Sequence, residues 1–241
     1  MKFARFGMAL AGVTLSVLGA VAPAATAAPA AAPTDVAPMI IGGGNASNAP
    51  WAARLFRNGQ QNCTATVIAP NYVLTAQHCV ASSGTYTFRI GSLDQTSGGQ
   101  MRTAAQITQH PSADLAIARL TEPYTGTYSP LGTTSDVQVG QSVQVYGWGA
   151  TCTGQPEINC QSRYLKVANV TVTTVNGRDY RGGVAVSARR GNGITAGGDS
   201  GGPMFASGKQ VGVASTSDRQ TTTAYTNITR YRPWIQQIAG V

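Results

Sequence analysis

Gly197-Gly198-Asp199-Ser200-Gly201-Gly202-Pro203-Met204-Phe205 is the stretch on which the reading of this chain turns. Glycines on both sides of the serine permit a tight turn whose backbone N–H groups converge on one point. Residues 203–205 read as a strand leaving that turn. Working outward, residues 64–68, 72–76, 86–90, 115–120, 142–148, 165–175 and 184–187 read as strands before it, and 210–214 and 222–226 after it. All are rich in Val, Thr, Tyr and Ile and are bounded by Gly, Asn, Asp, Ser or Pro. A helical period appears only over 230–239, where Tyr231, Trp234, Ile235 and Ile238 share one face. Many short strands with glycine-rich turns predict an all-β fold of barrels or sandwiches closed by one C-terminal α-helix. Residues 121–136, with Pro123 and Pro130, read as a linker between two β-modules.

The bulk composition narrows the function classes. Of 241 residues, 42% are apolar and 11% charged, against about 25% charged in ordinary soluble domains. Low hydrophobicity with high charge marks disorder, and neither applies here. The 29 glycines follow no three-residue period, which excludes collagen. A net charge of +8 raises the question of nucleic acid, but the 17 Lys and Arg are scattered and Arg189-Arg190 is the only adjacent basic pair. No nucleic-acid partner is expected.

Lys2 and Arg5 precede an uncharged run over 8–22, followed by Pro23 and alternating alanines. Residues 1–27 therefore read as a secretory signal peptide with Ala25-Thr26-Ala27 at its cleavage site. The run is shorter than the roughly 20 apolar residues a span requires. An extracellular protein without membrane association after signal removal is expected. Export permits disulfides, and four cysteines allow three pairings. Proximity favours Cys63 with Cys79 and Cys152 with Cys160. The first would close a loop of about 15 residues, a constraint of about 3 kcal/mol in the chain-entropy treatment. The spacings match no zinc finger, and there are two histidines in all.

A convergent set of N–H groups stabilises an anion, and an oxyanion forms when a serine attacks a carbonyl. Serine needs a base to take its proton, and the base needs an orienting carboxylate. His78, in Thr75-Ala76-Gln77-His78-Cys79, ends a strand and is pinned by the adjacent cysteine. His110 precedes Pro111 and reads as a surface turn residue. Asp114 opens the apolar run 115–118, whereas Asp94 and Asp136 lie among polar turn residues.

In their order, Thr75-Ala76-Gln77-His78-Cys79, Asp114-Leu115-Ala116 and Gly198-Asp199-Ser200-Gly201-Gly202-Pro203 resemble the chymotrypsin/trypsin family of serine proteases. Ile40-Ile41-Gly42-Gly43 resembles that family's mature amino terminus and Gly147-Trp148-Gly149 its second-barrel signature. The resemblance implies two antiparallel six-stranded β-barrels with the site between them. By it, residues 28–39 are a short propeptide, 40–125 the N-terminal barrel, and 126–241 the C-terminal barrel plus helix. It implies Ser200 as nucleophile, His78 as general base, Asp114 as orienter, and the N–H groups of Gly198 and Ser200 as oxyanion hole. Asp199 would pair with the ammonium freed at Ile40. Ser215 would support the aspartate and the substrate backbone. The disulfides, protein or peptide substrates, protein protease inhibitors as partners, and a monomeric state complete what the resemblance implies.

Ile194 falls where the family places its pocket floor, with Thr195, Ser217 and Thr223 on the walls, so small or medium apolar side chains are expected before the cut. An Asp218 carboxylate folded inward would instead favour basic side chains. Met39, not Lys or Arg, precedes Ile40. Thr64-Ala65-Thr66 replaces the family's usual Gly-Gly-Ser, and Ala196 and Ala206 stand where cysteines often sit. No cofactor or metal is expected, since residues 91–100, where relatives carry a calcium loop, have Asp94 as their only carboxylate. Two other readings are a non-proteolytic binding protein on the same fold and an esterase of another fold. The esterase order, serine before histidine, is opposed by His78 lying upstream of Ser200.

Overall fold

The structure is a computed structural model and describes residues 40–241. The signal peptide and propeptide expectations therefore lie outside the described residues. Among the described residues, fifteen strands and one α-helix follow in chain order. These are β1 (Ile41–Gly42), β2 (Gly44–Asn45), β3 (Ala52–Arg57), β4 (Gln60–Ala69), β5 (Tyr72–Thr75), β6 (Tyr86–Ile90), β7 (Gln100–Gln109) and β8 (Ala116–Leu120). Then come β9 (Ser142–Gly147), β10 (Lys166–Arg178), β11 (Val184–Arg190), β12 (Gly193–Ile194), β13 (Pro203–Ala206), β14 (Lys209–Ser217), β15 (Thr222–Asn227) and α1 (Arg232–Ala239).

The first barrel closes in the order β3-β4-β5-β8-β7-β6. In β6, Tyr86, Phe88 and Ile90 alternate inward while Thr87 and Arg89 do not, the period-two burial of a half-buried strand. They meet Leu55, Val67, Leu74, Leu115 and Ile117 in one apolar core. The second barrel runs β11-β15-β14-β13-β9-β10 and closes through β10 on β11, with β2 on the outer edge of β10. Register shifts after Val172 and Thr174 let the long β10 bend from β9 round to β11. Val145, Val170, Val172, Val186, Met204 and Tyr225 fill this core.

Two six-stranded antiparallel barrels and a closing helix agree with the expected fold. Five strands are absent from the sequence reading: the two-residue β1, β2 and β12, and the longer β3 and β7. β7 has no fully buried residue, so it shows no apolar alternation. β3 is buried on both faces with Arg54 at its centre, and a charge there reads as loop. α1 begins at Arg232 with a proline in its first turn, and Trp234, Ile235 and Ile238 pack on the first barrel.

The barrels meet around aromatic rings. Trp51 lies 4.4 Å from Phe205 and 5.2 Å, edge-on, from Tyr146. Beside this seam Thr64 N–H donates to the Ser200 carbonyl at 2.9 Å, so the serine turn is bonded to β4 of the opposite barrel.

Candidate active site

His78 lies in the short helical turn Gln77–Val80 that follows β5. The Cys63–Cys79 disulfide and a bond from Asn62 Nδ2 to the Cys79 carbonyl (2.8 Å) tie this turn to β4. Asp114 is fully buried just before β8. Its Oδ1 accepts the His78 backbone N–H at 2.9 Å, and its Oδ2 lies 2.7 Å from His78 Nδ1. The Ser215 hydroxyl donates to the same Oδ2 at 2.6 Å. Burial opposes charge on this carboxyl, but the bonds from His78 and Ser215 outweigh it and hold the group below the ordinary carboxylate value. An ionised Asp114 selects the Nδ1–H tautomer and leaves Nε2 as the acceptor.

Ser200 sits on the glycine turn, which β4 grips from behind. Thr64 Oγ1 donates to the Gly198 carbonyl at 2.8 Å, and the fully buried Arg54 reaches the same oxygen at 3.2 Å. Arg54 also bonds Gln95, the Cys63 carbonyl and Gln161. Gly201 has φ +79°, and a Cβ there would overlap Thr75 Oγ1 and the Thr64 carbonyl. The N–H groups of Gly198 and Ser200 donate to no acceptor among the described residues.

Asp199 is fully buried, and its carboxylate accepts N–H bonds from Gly149 (2.7 Å) and Ala196 (2.9 Å). A side chain at Gly149 would overlap that carboxylate, which explains the glycine. Burial pushes the Asp199 carboxyl up to about 7, against the two N–H bonds and the attraction of Arg54. Ile40 is fully buried, and β1 after it pairs Ile41 with Ile194 of β12.

A cavity of about 440 Å³ carries His78 and Ser200 on its wall, without a hydrogen bond between hydroxyl and imidazole, together with Thr195, Ser215 and Ser217. Ile194 and Thr223 are buried and are not on that wall; the Thr223 hydroxyl lies 2.6 Å from that of Thr195 instead. Arg219 is on the wall, a cation that the sequence reading did not place there. Glu157, between the paired Cys152 and Cys160, neutralises it through Nε–Oε1 at 2.9 Å and Nη2–Oε2 at 3.2 Å. Asp218 does not point inward: its exposed carboxylate accepts the N–H groups of Gln220, Thr221 and Thr222 in its own loop.

His110 is not a free turn residue. Its Nδ1 accepts the N–H of Ala113 at 2.9 Å, and its ring packs against Tyr231 and Trp234. Among the described residues, Cys63, His78 and Cys79 are the one cluster with metal-ligand atoms close together, and both sulfurs are spent in the disulfide. Among the same residues no helix is long and apolar enough to cross a membrane.

The Trypsin family model matches residues 40–235, the whole stretch that carries both barrels. The chain belongs to the trypsin family. This chain is a serine endopeptidase, a hydrolase of peptide bonds. Human kallikrein-11 is 29% identical over 78% of this chain and 75% of its own. Trypsin alpha-4 of Lucilia cuprina is 29% identical over 88% of this chain and 93% of its own. A putative peptidase of Corynebacterium glutamicum is 28% identical over all of this chain and 85% of its own. Among solved structures, neuropsin, a serine protease expressed in the limbic system of mouse brain, superposes with TM-score 0.69. It is 28% identical, covering 81% of this chain and 97% of its own. Human heparin binding protein gives TM-score 0.71 at 26% identity, covering 83% and 96%.

Proposed function

We propose that this endopeptidase works through an acyl-enzyme on Ser200. The observation that carries the reading is the chain His78–Asp114–Ser215, bonded end to end and opening on the cavity that holds Ser200. Ser200 Oγ attacks the scissile carbonyl while His78 Nε2 takes its proton. The carbonyl oxygen becomes an oxyanion between the N–H groups of Gly198 and Ser200, each donor contributing roughly 10²–10³-fold in rate. His78 then protonates the leaving amine, and water repeats the sequence to release the acid. Asp114 holds the imidazole tautomer throughout. Removal of the Ser200 hydroxyl, argued in the Discussion, tests this assignment.

The cavity wall favours small or medium apolar side chains before the cut. Thr195, Ala196, Ala214 and Ser217 are uncharged, Arg219 is already paired with Glu157, and Asp218 is committed to its own loop. A buried basic side chain would find no free carboxylate. Peptide-library profiling should yield cuts after Ala, Val, Thr or Leu; dominant cleavage after Arg or Lys would overturn this specificity.

The proposed chain organisation is a signal over 1–27, a propeptide over 28–39, and two barrels divided at 125/126. The mature enzyme acts outside the cell as a monomer on proteins or peptides, and protein inhibitors compete for the same cleft. Cleavage before Ile40 would give Asp199 an ammonium partner. The sign of the pH effect follows from its raised value. In the uncut chain the folded state holds the Asp199 proton up to about 7, against an ordinary value of 3.8. That contribution to stability is complete below 3.8 and is lost as pH rises through 7. Thermal unfolding of inactive Ser200→Ala protein, with and without residues 28–39, should show this loss only in the longer chain. Equal pH profiles would contradict the pairing, as would an active enzyme whose amino terminus is not Ile40.

A further inference from the structure

The turn 179–183 joins β10 to β11 with the sequence Asp179-Tyr180-Arg181-Gly182-Gly183. Within it, Asp179 Oδ1 accepts the N–H groups of Gly183 (2.7 Å) and Arg181 (2.9 Å), the local pattern of an aspartate-started turn. A hairpin needs nothing further from its tip. Here three consecutive residues reach out of the turn, and each holds a different part of the surroundings of Asp114.

Asp179 is buried, and its Oδ2 accepts the backbone N–H of Asp114 at 2.9 Å. The Thr226 hydroxyl lies 3.0 Å from that Oδ2 and 3.1 Å from the Asp114 carbonyl, so one β15 side chain joins the two aspartates. The Tyr180 N–H donates to Ser215 Oγ at 2.9 Å. This fills an acceptor site on Ser215 and turns its hydrogen towards Asp114 Oδ2. The Arg181 guanidinium donates to the carbonyls of His110 (2.8 Å) and Pro111 (3.1 Å), fixing the chain that leads into Asp114. A side chain at Gly183 would overlap Ala113, which shows how closely the turn is seated there.

We infer that this turn is a positioning device for Asp114, with Asp179 its principal positioning residue. The inference rests on the proposed roles of Ser200, His78 and Asp114. Asp179 touches neither substrate nor reacting atoms; it sets the seat from which Asp114 aims the imidazole. A displacement of about 1 Å in such a seat costs as much as 10²-fold in rate. Three backbone N–H groups and the Thr226 hydroxyl surround the Asp179 carboxylate, with at least one donor-only N–H on each oxygen. Asparagine cannot replace it, because its NH₂ group must face either the Asp114 N–H or the N–H groups of Arg181 and Gly183.

The test measures kcat and KM separately for Asp179→Asn and Arg181→Ala, with Ser200→Ala as control. Asp179→Asn is expected to lower kcat about 10- to 100-fold with KM held within about 2-fold. Arg181→Ala removes an exposed side chain and keeps the fold; it should lower kcat about 2- to 5-fold in the same way, a milder loss of orientation. If Asp179→Asn fails to fold, Arg181→Ala decides. Normal kcat, or a loss confined to KM, would overturn the positioning role. A Ser200→Ala protein that keeps its activity would instead overturn the triad on which the inference rests.

Discussion

Ser200→Ala is expected to lower kcat by about 10⁶-fold while leaving the melting temperature within a degree or two. The Ser200 hydroxyl makes no hydrogen bond among the described residues. What holds the turn is its backbone, through Thr64 N–H to the Ser200 carbonyl and Gly201 N–H to the Ala214 carbonyl at 2.8 Å. The substitution therefore removes the proposed nucleophile without removing a support. The residual rate is expected from the proposed oxyanion donors, the N–H groups of Gly198 and Ser200, which remain. Peptide hydrolysis by purified variant, followed over days, checks the figure. A loss below about 10-fold would exclude Ser200 as the attacking group.

Asp114→Asn is expected to cost about 10⁴-fold in kcat at neutral pH. Asp114 Oδ2 accepts both the His78 ring N–H and the Ser215 hydroxyl, while Oδ1 accepts the His78 backbone N–H. An amide keeps one acceptor oxygen and turns a donor towards the other position. With that donor facing Nδ1, the imidazole carries its hydrogen on Nε2 and can no longer take the Ser200 proton. Substrate contacts are untouched, so KM should stay near its normal value. Equal falls in kcat and kcat/KM would show the interaction to be confined to the transition state.

Much of this site is legible in the sequence because its chemistry is local. The glycines around Ser200, the cysteine beside His78 and the apolar run after Asp114 each advertise their purpose within a few residues. β6 is legible for the same reason: its alternation is contained in five residues. What could not be read depends on partners far along the chain. Arg54 breaks the pattern of a strand, and its bonds to Gln95, Cys63, Gly198 and Gln161 explain it. Asp179 and Arg181 look like ordinary turn residues until Asp114, His110 and Pro111 are seen beside them. Arg219 reaches the cavity wall because Glu157, on the loop of the second disulfide, draws it there. Ile194, expected at the pocket floor, and Thr223, expected on a wall, are buried away from the cavity that Thr195 and Ser217 line, because which buried residue faces a cleft is set by packing that the sequence does not show. β7 stayed hidden because a strand lying on the surface needs no apolar side.

The most direct measurement is covalent labelling with a fluorophosphonate, followed by digestion and mapping of the modified peptide by mass spectrometry. The reagent reports a hydroxyl made nucleophilic by a neighbouring base, whatever the substrate preference. One label is expected, on Ser200, absent from Ser200→Ala and greatly slowed in Asp114→Asn. A label on another residue, or a Ser200→Ala protein that reacts as fast as the parent, would contradict it.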